Sequence, residues 1–234
     1  MYLELLKRTL AGLIYEDDRY PDGKFDFNLR VEGRDWPSKA HTMLGMKRLN
    51  NIQECIESVI KDKVPGDFIE CGAWRGGGAI LMQGVREYYN EDRDVWVADS
   101  FNGFPPSVIE KKVYKNLDNH RDYHCVSIDD VRSNFSKYNL LNDHVKFVPG
   151  WLGETLPCIS ISKLALLHCD VDLYPSVKCV LNYLYPKLSP GGYCIIDDYN
   201  LIGCRQAVNH YRARRGITEP MLPVDWAGVY WRKS

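Results

Sequence analysis

Short apolar runs alternating with stretches of helical period constrain this chain more than any other feature. Residues 67–73 (DFIECGA) predict a strand ending in glycine, and 77–89 predict a helix. A second strand is expected over 94–99 (DVWVAD). A helix is expected over 127–139, with Ser127 as N-cap and Asp130 as its capping partner. Strands over 145–150 and 164–172 follow, then a helix over 175–187, a strand over 193–198 and a helix over about 203–215. Strands alternating with helices imply parallel pairing with crossover helices on both faces, a doubly wound α/β sheet. Strands buried on both faces read as unbroken apolar runs, as LALL and YCII do. The last two runs, MLPVD and GVYWRK, are separated only by Trp226 and Ala227. That is too short for a parallel crossover, so an antiparallel C-terminal hairpin is expected. Residues 1–63 precede the sheet as an N-terminal helical cap, and 64–234 carry the sheet; together they form one domain, as 234 residues allow.

Composition excludes several partners. Thirty Lys+Arg stand against 31 Asp+Glu, a net charge of -1, whereas phosphate-binding chains carry a basic excess, so no nucleic-acid partner is expected. No apolar run approaches the roughly 20 residues of a membrane helix, and the N-terminus lacks the apolar core of a signal peptide. The eight cysteines show no CxxC spacing and read as reduced core residues, which points to a cytoplasmic protein. His120 and His124, with Cys125 beside them, lack a second ligand pair and read as solvated rather than zinc-binding. The long polar stretch 102–125 is a candidate lid or binding loop. Arg212, Arg214 and Arg215, at the end of a predicted helix, complement its dipole.

In open α/β sheets ligands bind beyond the carboxyl ends of the strands, and the acids fall there. The first strand ends Glu70-Cys71-Gly72-Ala73-Trp74-Arg75 and runs into three glycines, a turn that lets a ligand approach the backbone. It is neither GxGxxG nor a phosphate-binding GxxxxGK[ST] loop, which disfavours a dinucleotide reductase. Asp99 ends the second strand, where a carboxylate suits a ribose diol. Asp170 and Asp172 end the fourth strand, and Asp197 and Asp198 the fifth. Clustered carboxylates repel unless compensated, and a hard divalent ion such as Mg²⁺ is the simplest compensator. Asp197 and Asp198 would alternate in a strand, so both can ligate only if the chain turns there. The competing reading is that these acids cap helices or meet Arg205. Trp74 and Trp151 at strand-tip turns would flank an adenine or simply pack.

At these residues the sequence resembles the macrocin O-methyltransferase (TylF) family, which includes the mycinamicin and novobiocin sugar methyltransferases. The matching segments include GRDWPSKAHTMLGMKRLNNIQ (33–53), FIECGAWRGGGA (68–79), ADSFNGFP (98–105), VKFVPGWLGETLP (145–157), LHCDVDLYPS (167–176) and YPKLSPGGYCIIDDY (185–199), so the resemblance covers nearly the whole chain. It implies a class I methyltransferase fold, S-adenosylmethionine as donor, and Mg²⁺-dependent transfer to a sugar hydroxyl of a small natural product. Carried over by position, Glu70 and Gly72 match the cofactor turn, Asp99 the ribose acid, Asp170, Asp197 and Asp198 the metal ligands, and Asp172 the general base. Met43, Ala73, Trp74, Arg75, Ser100, Phe101, Trp151 and Asp170 are further candidate cofactor contacts, and the segment His41-Thr42-Met43 is implied to reach the site. The family contains oligomers, and the apolar N-terminal helix is a candidate dimer face. Two alternatives remain. One is a catechol-type metal-dependent methyltransferase, a group that commonly shows Asp-Asn where this chain has Asp197-Asp198. The other is an inactive cofactor-binding scaffold, disfavoured because an idle carboxylate cluster only costs stability.

Overall fold

A computed structural model describes residues 1–104 and 122–234 in full, with the backbone of Arg121. Seven strands form one sheet: β1 Asp67–Cys71, β2 Val95–Asp99, β3 Val145–Pro149, β4 Leu164–Cys169, β5 Leu188–Ile196, β6 Leu222–Pro223 and β7 Val229–Arg232. Their order is β3-β2-β1-β4-β5-β7-β6. The first five pair in parallel, while β7 runs antiparallel to both β5 and β6. The doubly wound sheet with an antiparallel C-terminal hairpin is therefore present.

The helices are α1 Tyr2–Leu10, α2 Phe27–Glu32, α3 Met46–Lys61, α4 Gly77–Tyr88, α5 Arg121–His124, α6 Ile128–Lys137, α7 Leu152–Thr155, α8 Tyr174–Leu184 and α9 Ile202–Arg215. The α6 start is the expected one: the Ser127 hydroxyl accepts from the Asp130 N–H and donates to the Asp130 carboxylate. Other boundaries differ. The helix expected over 175–187 ends at Leu184 and passes into a 3₁₀ turn over Tyr185–Lys187, because Pro186 cannot continue the ladder. β5 starts five residues early, through Ser189-Pro190-Gly191-Gly192, with a register shift against β4. β6 shrinks to two residues.

α1 buries Leu3, Leu6 and Leu10 on one stripe, and α3 buries Leu49, Ile52, Ile56 and Val59 on another. Both pack into the same core as Phe68, Val97, Ile80 and Leu166 of the sheet and α4. The N-terminal segment is thus continuous with one sheet face, while α8 and α9 cover the other through Val177, Leu181 and Val208, packed in the same cluster as Trp231 of β7. Among the described residues no helix is long and apolar enough to cross a membrane. Six of the cysteines are buried or half-buried, but Cys125 and Cys158 are exposed, and all eight are free.

Register decides what meets at the carboxyl edge. Cys71 pairs with Cys169, and Cys169 with Ile196. The residues that follow, Gly72, Asp170 and Asp197, therefore stand side by side. The ladder closes on the acids themselves, since the Asp170 N–H donates to Cys71 O and the Asp197 N–H to Cys169 O. Strand order reverses between β1 and β4, so the crevice of a doubly wound sheet opens here.

Candidate active site

A cavity of about 540 Å³ occupies that crevice. Its walls come from the tips of β1, β2, β4 and β5, the Gly33–Leu44 segment and the turn between β6 and β7. Gly72 shows why its position tolerates nothing larger. Its φ is +88°, and a Cβ there would lie 1.8 Å from the Asp170 carbonyl oxygen. Trp74 also holds a left-handed conformation, φ 47°, which turns the chain into α4.

The Asp99 carboxylate organises this turn. Its Oδ2 accepts from the N–H of Ala73 (2.7 Å) and Trp74 (3.2 Å), and its Oδ1 from the N–H of Phe101 (2.8 Å). The carboxylate faces the cavity with its backbone donors already in place. Glu70, 1% exposed, accepts from the Ala79 N–H at the start of α4 (2.8 Å) and shares a 3.1 Å hydrogen bond with His168 Nδ1. It therefore ties β1 to α4 and β4 while forming part of the cavity wall.

Most candidate cofactor contacts line the cavity: Met43, Glu70, Gly72, Ala73, Trp74, Asp99, Ser100, Trp151 and Asp170. Two candidates do not. The Arg75 guanidinium turns away to donate to Ala40 O (2.9 Å) and lies 4.2 Å over the Trp74 ring. Phe101, at φ 52°, packs its ring toward Phe147, and only its N–H serves the site, by holding Asp99. His41 and Thr42 line the cavity beside Met43, as the resemblance implies. The His41 Nδ1 lies 2.7 Å from the Tyr138 hydroxyl, and burial, reinforced by Lys137 and Arg75, pushes this imidazole down to about 4.

The strand-tip acids converge. One carboxylate oxygen from each of Asp170, Asp197 and Asp198 lies within 4.8 Å of the others. β5 ends at Ile196 and the chain bends at Asp197, which turns both successive acids inward. Burial, then Asp197 and Asp198, push the Asp170 carboxyl well above the usual range. Burial, then Asp172 and Asp197, do the same to Asp198. Burial also raises Asp197, but the Arg48 guanidinium and His168 more than offset this and hold it below the usual range. Asp172 lines the same wall.

The sequence reading offered Arg205 as a partner for these acids; the cation is Arg48 of α3. It donates to Asp197 Oδ2 (2.5 Å) and to Asp225 Oδ2 (2.7 Å). Arg48 sits on the same buried face as Asn51, Ile52 and Cys55, and a charge on an apolar stripe is the signal that a buried partner exists. His168 was also missed, inside the apolar run LALLHC. It is fully buried between Glu70 and Asp197, and although burial opposes its charge, those two acids raise the imidazole to about 9.

Other expectations need correction. His124 is half-buried rather than solvated, edge-on to Trp36, Phe104 and Tyr123. His120 and most of the 102–125 loop lie outside the described residues. Arg212 does more than meet a helix dipole, lying 4.7 Å over Trp231 and donating to Glu219 O. The Trp74 indole donates to Tyr123 O (2.9 Å), so one edge of this wall is fixed by packing.

Residues 16–233 match the family described as Macrocin-O-methyltransferase (TylF). The chain is 45% identical over 245 residues to the mycinamicin III 3''-O-methyltransferase of Micromonospora griseorubida, covering all of this chain and 96% of that protein. It is 44% identical over 247 residues to the demethyldecarbamoylnovobiocin O-methyltransferase of Streptomyces niveus, covering all of this chain and 94% of that protein. Among solved structures it resembles the O-methyltransferase NovP, with a TM-score of 0.95 at 45% identity, covering 100% of this chain and 98% of that one. The calicheamicin methyltransferase CalS11 shares the fold, with a TM-score of 0.62 at 19% identity over 98% of this chain and 90% of that one.

Proposed function

This chain belongs to the macrocin O-methyltransferase family and is an S-adenosylmethionine-dependent O-methyltransferase, and from that premise we propose that it methylates a sugar hydroxyl on a small-molecule natural product, with Mg²⁺ held by Asp170, Asp197 and Asp198. The observation that carries this reading is the convergence of those three acids on the cavity that also receives the glycine turn. The named substrates of the relatives support a glycosylated acceptor.

The donor set fits a hard cation. It is all oxygen, its three atoms lie within 4.8 Å, and the charged forms of Asp170 and Asp198 are each disfavoured by burial and neighbouring acids in a way that a divalent charge relieves. When bound, such an ion acts as a Lewis acid that lowers the pKa of a coordinated hydroxyl. Asp172, on the same wall, accepts the hydroxyl proton at its carboxylate. Methyl transfer from a sulfonium needs sulfur, carbon and oxygen in line, so the protein's main contribution is alignment. Gly72 and Ala73 let the donor approach bare backbone, and Asp99 receives its ribose hydroxyls. Met43, Trp74, Ser100 and Trp151 enclose it. Arg75 and Phe101 act indirectly, by bracing Trp74 and Asp99.

The test is a panel of deoxysugar glycosides and catechols incubated with S-adenosylmethionine and scored by mass for the gain of one methyl group. Glycosides should be methylated, EDTA should abolish turnover and Mg²⁺ should restore it. Asp172→Asn should lower kcat by about 10²-fold or more with donor affinity unchanged. Full activity in chelator removes the metal from the reading, and near-normal turnover of the variant removes Asp172 as base.

A further inference from the structure

The turn between β6 and β7 is held from more sides than a surface hairpin requires. Asp225 Oδ1 caps the N–H groups of Ala227 and Gly228, both at 2.8 Å, and Asp225 Oδ2 receives Arg48. The Ala227 carbonyl accepts from the Asn200 N–H at 3.2 Å, which fixes the turn over the end of β5. The Trp226 indole donates to Glu32 O at 2.9 Å, at the end of α2. Two guanidiniums flank the ring, Arg34 at 4.6 Å and Arg48 at 5.3 Å. Despite these restraints Trp226 remains 42% exposed, and it lines the cavity.

A large aromatic ring fixed in place yet open to a cavity suits recognition, because contact with it costs little conformational entropy. Its place within that cavity is specific. Arg48 bridges Asp225 to Asp197, so Trp226 stands one guanidinium away from the metal-binding acids. The glycine turn and Asp99 lie at the other strand tips, β1 and β2. An occupant touching both Trp226 and the acids is therefore the acceptor and not the donor.

We propose that Trp226 is a specificity-determining residue for the acceptor. Its ring forms the wall against which the apolar C–H face of the sugar rests, with its hydroxyls turned toward Asp170, Asp197 and Asp198, and Arg34 supplies a hydrogen-bond donor at the same lip. This deepens, and rests on, the reading of the acceptor as a glycoside.

Trp226→Ala and Trp226→Phe should be compared with wild type on the same glycosides and catechols. Trp226→Ala should raise KM for the methylated glycoside by about 10-fold or more, since truncating an aromatic anchor removes most of its contact with the ligand. KM for S-adenosylmethionine and the unfolding midpoint should move little. Trp226→Phe, which keeps a ring but loses the bond to Glu32, should restore most of the acceptor affinity. An unchanged acceptor KM in Trp226→Ala, or an equal rise in both KM values, overturns the proposal. Should the alanine variant not fold, no rise in acceptor KM for Trp226→Leu decides against it. If wild type turns over only catechols, the glycoside reading falls. The wall is then judged by the catechol KM of the same variants, an unchanged value overturning it.

Discussion

At the tip of β2, the Asp99 carboxylate accepts from three backbone N–H groups; at the tips of β4 and β5, the carboxylates of Asp170 and Asp198 accept no protein hydrogen bond among the described residues, and both face Asp172 and Asp197. One half of the cavity floor is satisfied before any ligand arrives. The other holds carboxylates whose mutual repulsion is relieved only in part, by Arg48 and His168 at Asp197. Under the proposed function, the contrast matches what each half would meet. A donor carrying one positive charge needs shape and a fixed ribose site, which backbone groups provide. A divalent ion needs concentrated negative charge, which is unfavourable until the ion binds.

The harshest way to break this contrast is to remove the Arg48 bridge. Arg48→Met leaves Asp197 and Asp225 buried without their cation, and losing one partner of a buried pair costs about 3–5 kcal/mol. Calorimetry should show the unfolding midpoint falling by roughly 6–20 °C, and a midpoint within a degree or two of wild type would mean that the bridge is energetically idle. A smaller effect of opposite sign separates the halves directly. Asp198→Asn removes repulsion, so the metal-free protein should gain about 1 kcal/mol while losing its response to added Mg²⁺. Destabilisation of the metal-free variant would place Asp198 with Asp99, among acids already satisfied.

The smallest expected effect is a pH dependence on the donor side. Burial holds the His41 imidazole near 4, below its unfolded value of 6.5. Between those values the unfolded chain binds the proton that the folded one refuses. Stability from this group is therefore complete above about 6.5 and is lost as pH falls toward 4. His41→Gln should flatten that limb of a midpoint-against-pH plot, and an unchanged slope would assign it to other groups.

The sheet was legible in the sequence because buried strands advertise themselves as apolar runs, and the acids were legible because each follows such a run. β5 was read as starting at Tyr193 because Ser189-Pro190-Gly191-Gly192 carries no strand propensity; pairing with β4 supplies what local preference lacks. Arg48 escaped because its partners lie 149 and 177 residues away, beyond any local pattern. The sequence reading therefore took the nearest cation, Arg205. His168 was hidden by its apolar neighbours, and Trp226 read only as a turn residue because its importance comes from what the hairpin is folded against.

The distance spanned by Arg48 has a consequence for the order of assembly. Its helix packs with α1, α2 and α4, which precede the third strand, and also with β4 and β5, which follow it. Asp197 and Asp225 leave the ribosome long after Arg48, 149 and 177 residues later. The contacts of this helix with α1, α2 and α4 can thus form while translation continues, whereas the Arg48 bridge stays open until the β6–β7 hairpin docks. Contacts of such long separation form late because loop closure must come first. A chain truncated before Asp225 should therefore lose the Arg48–Asp225 pair and, with β7, the buried Trp231 of the second core.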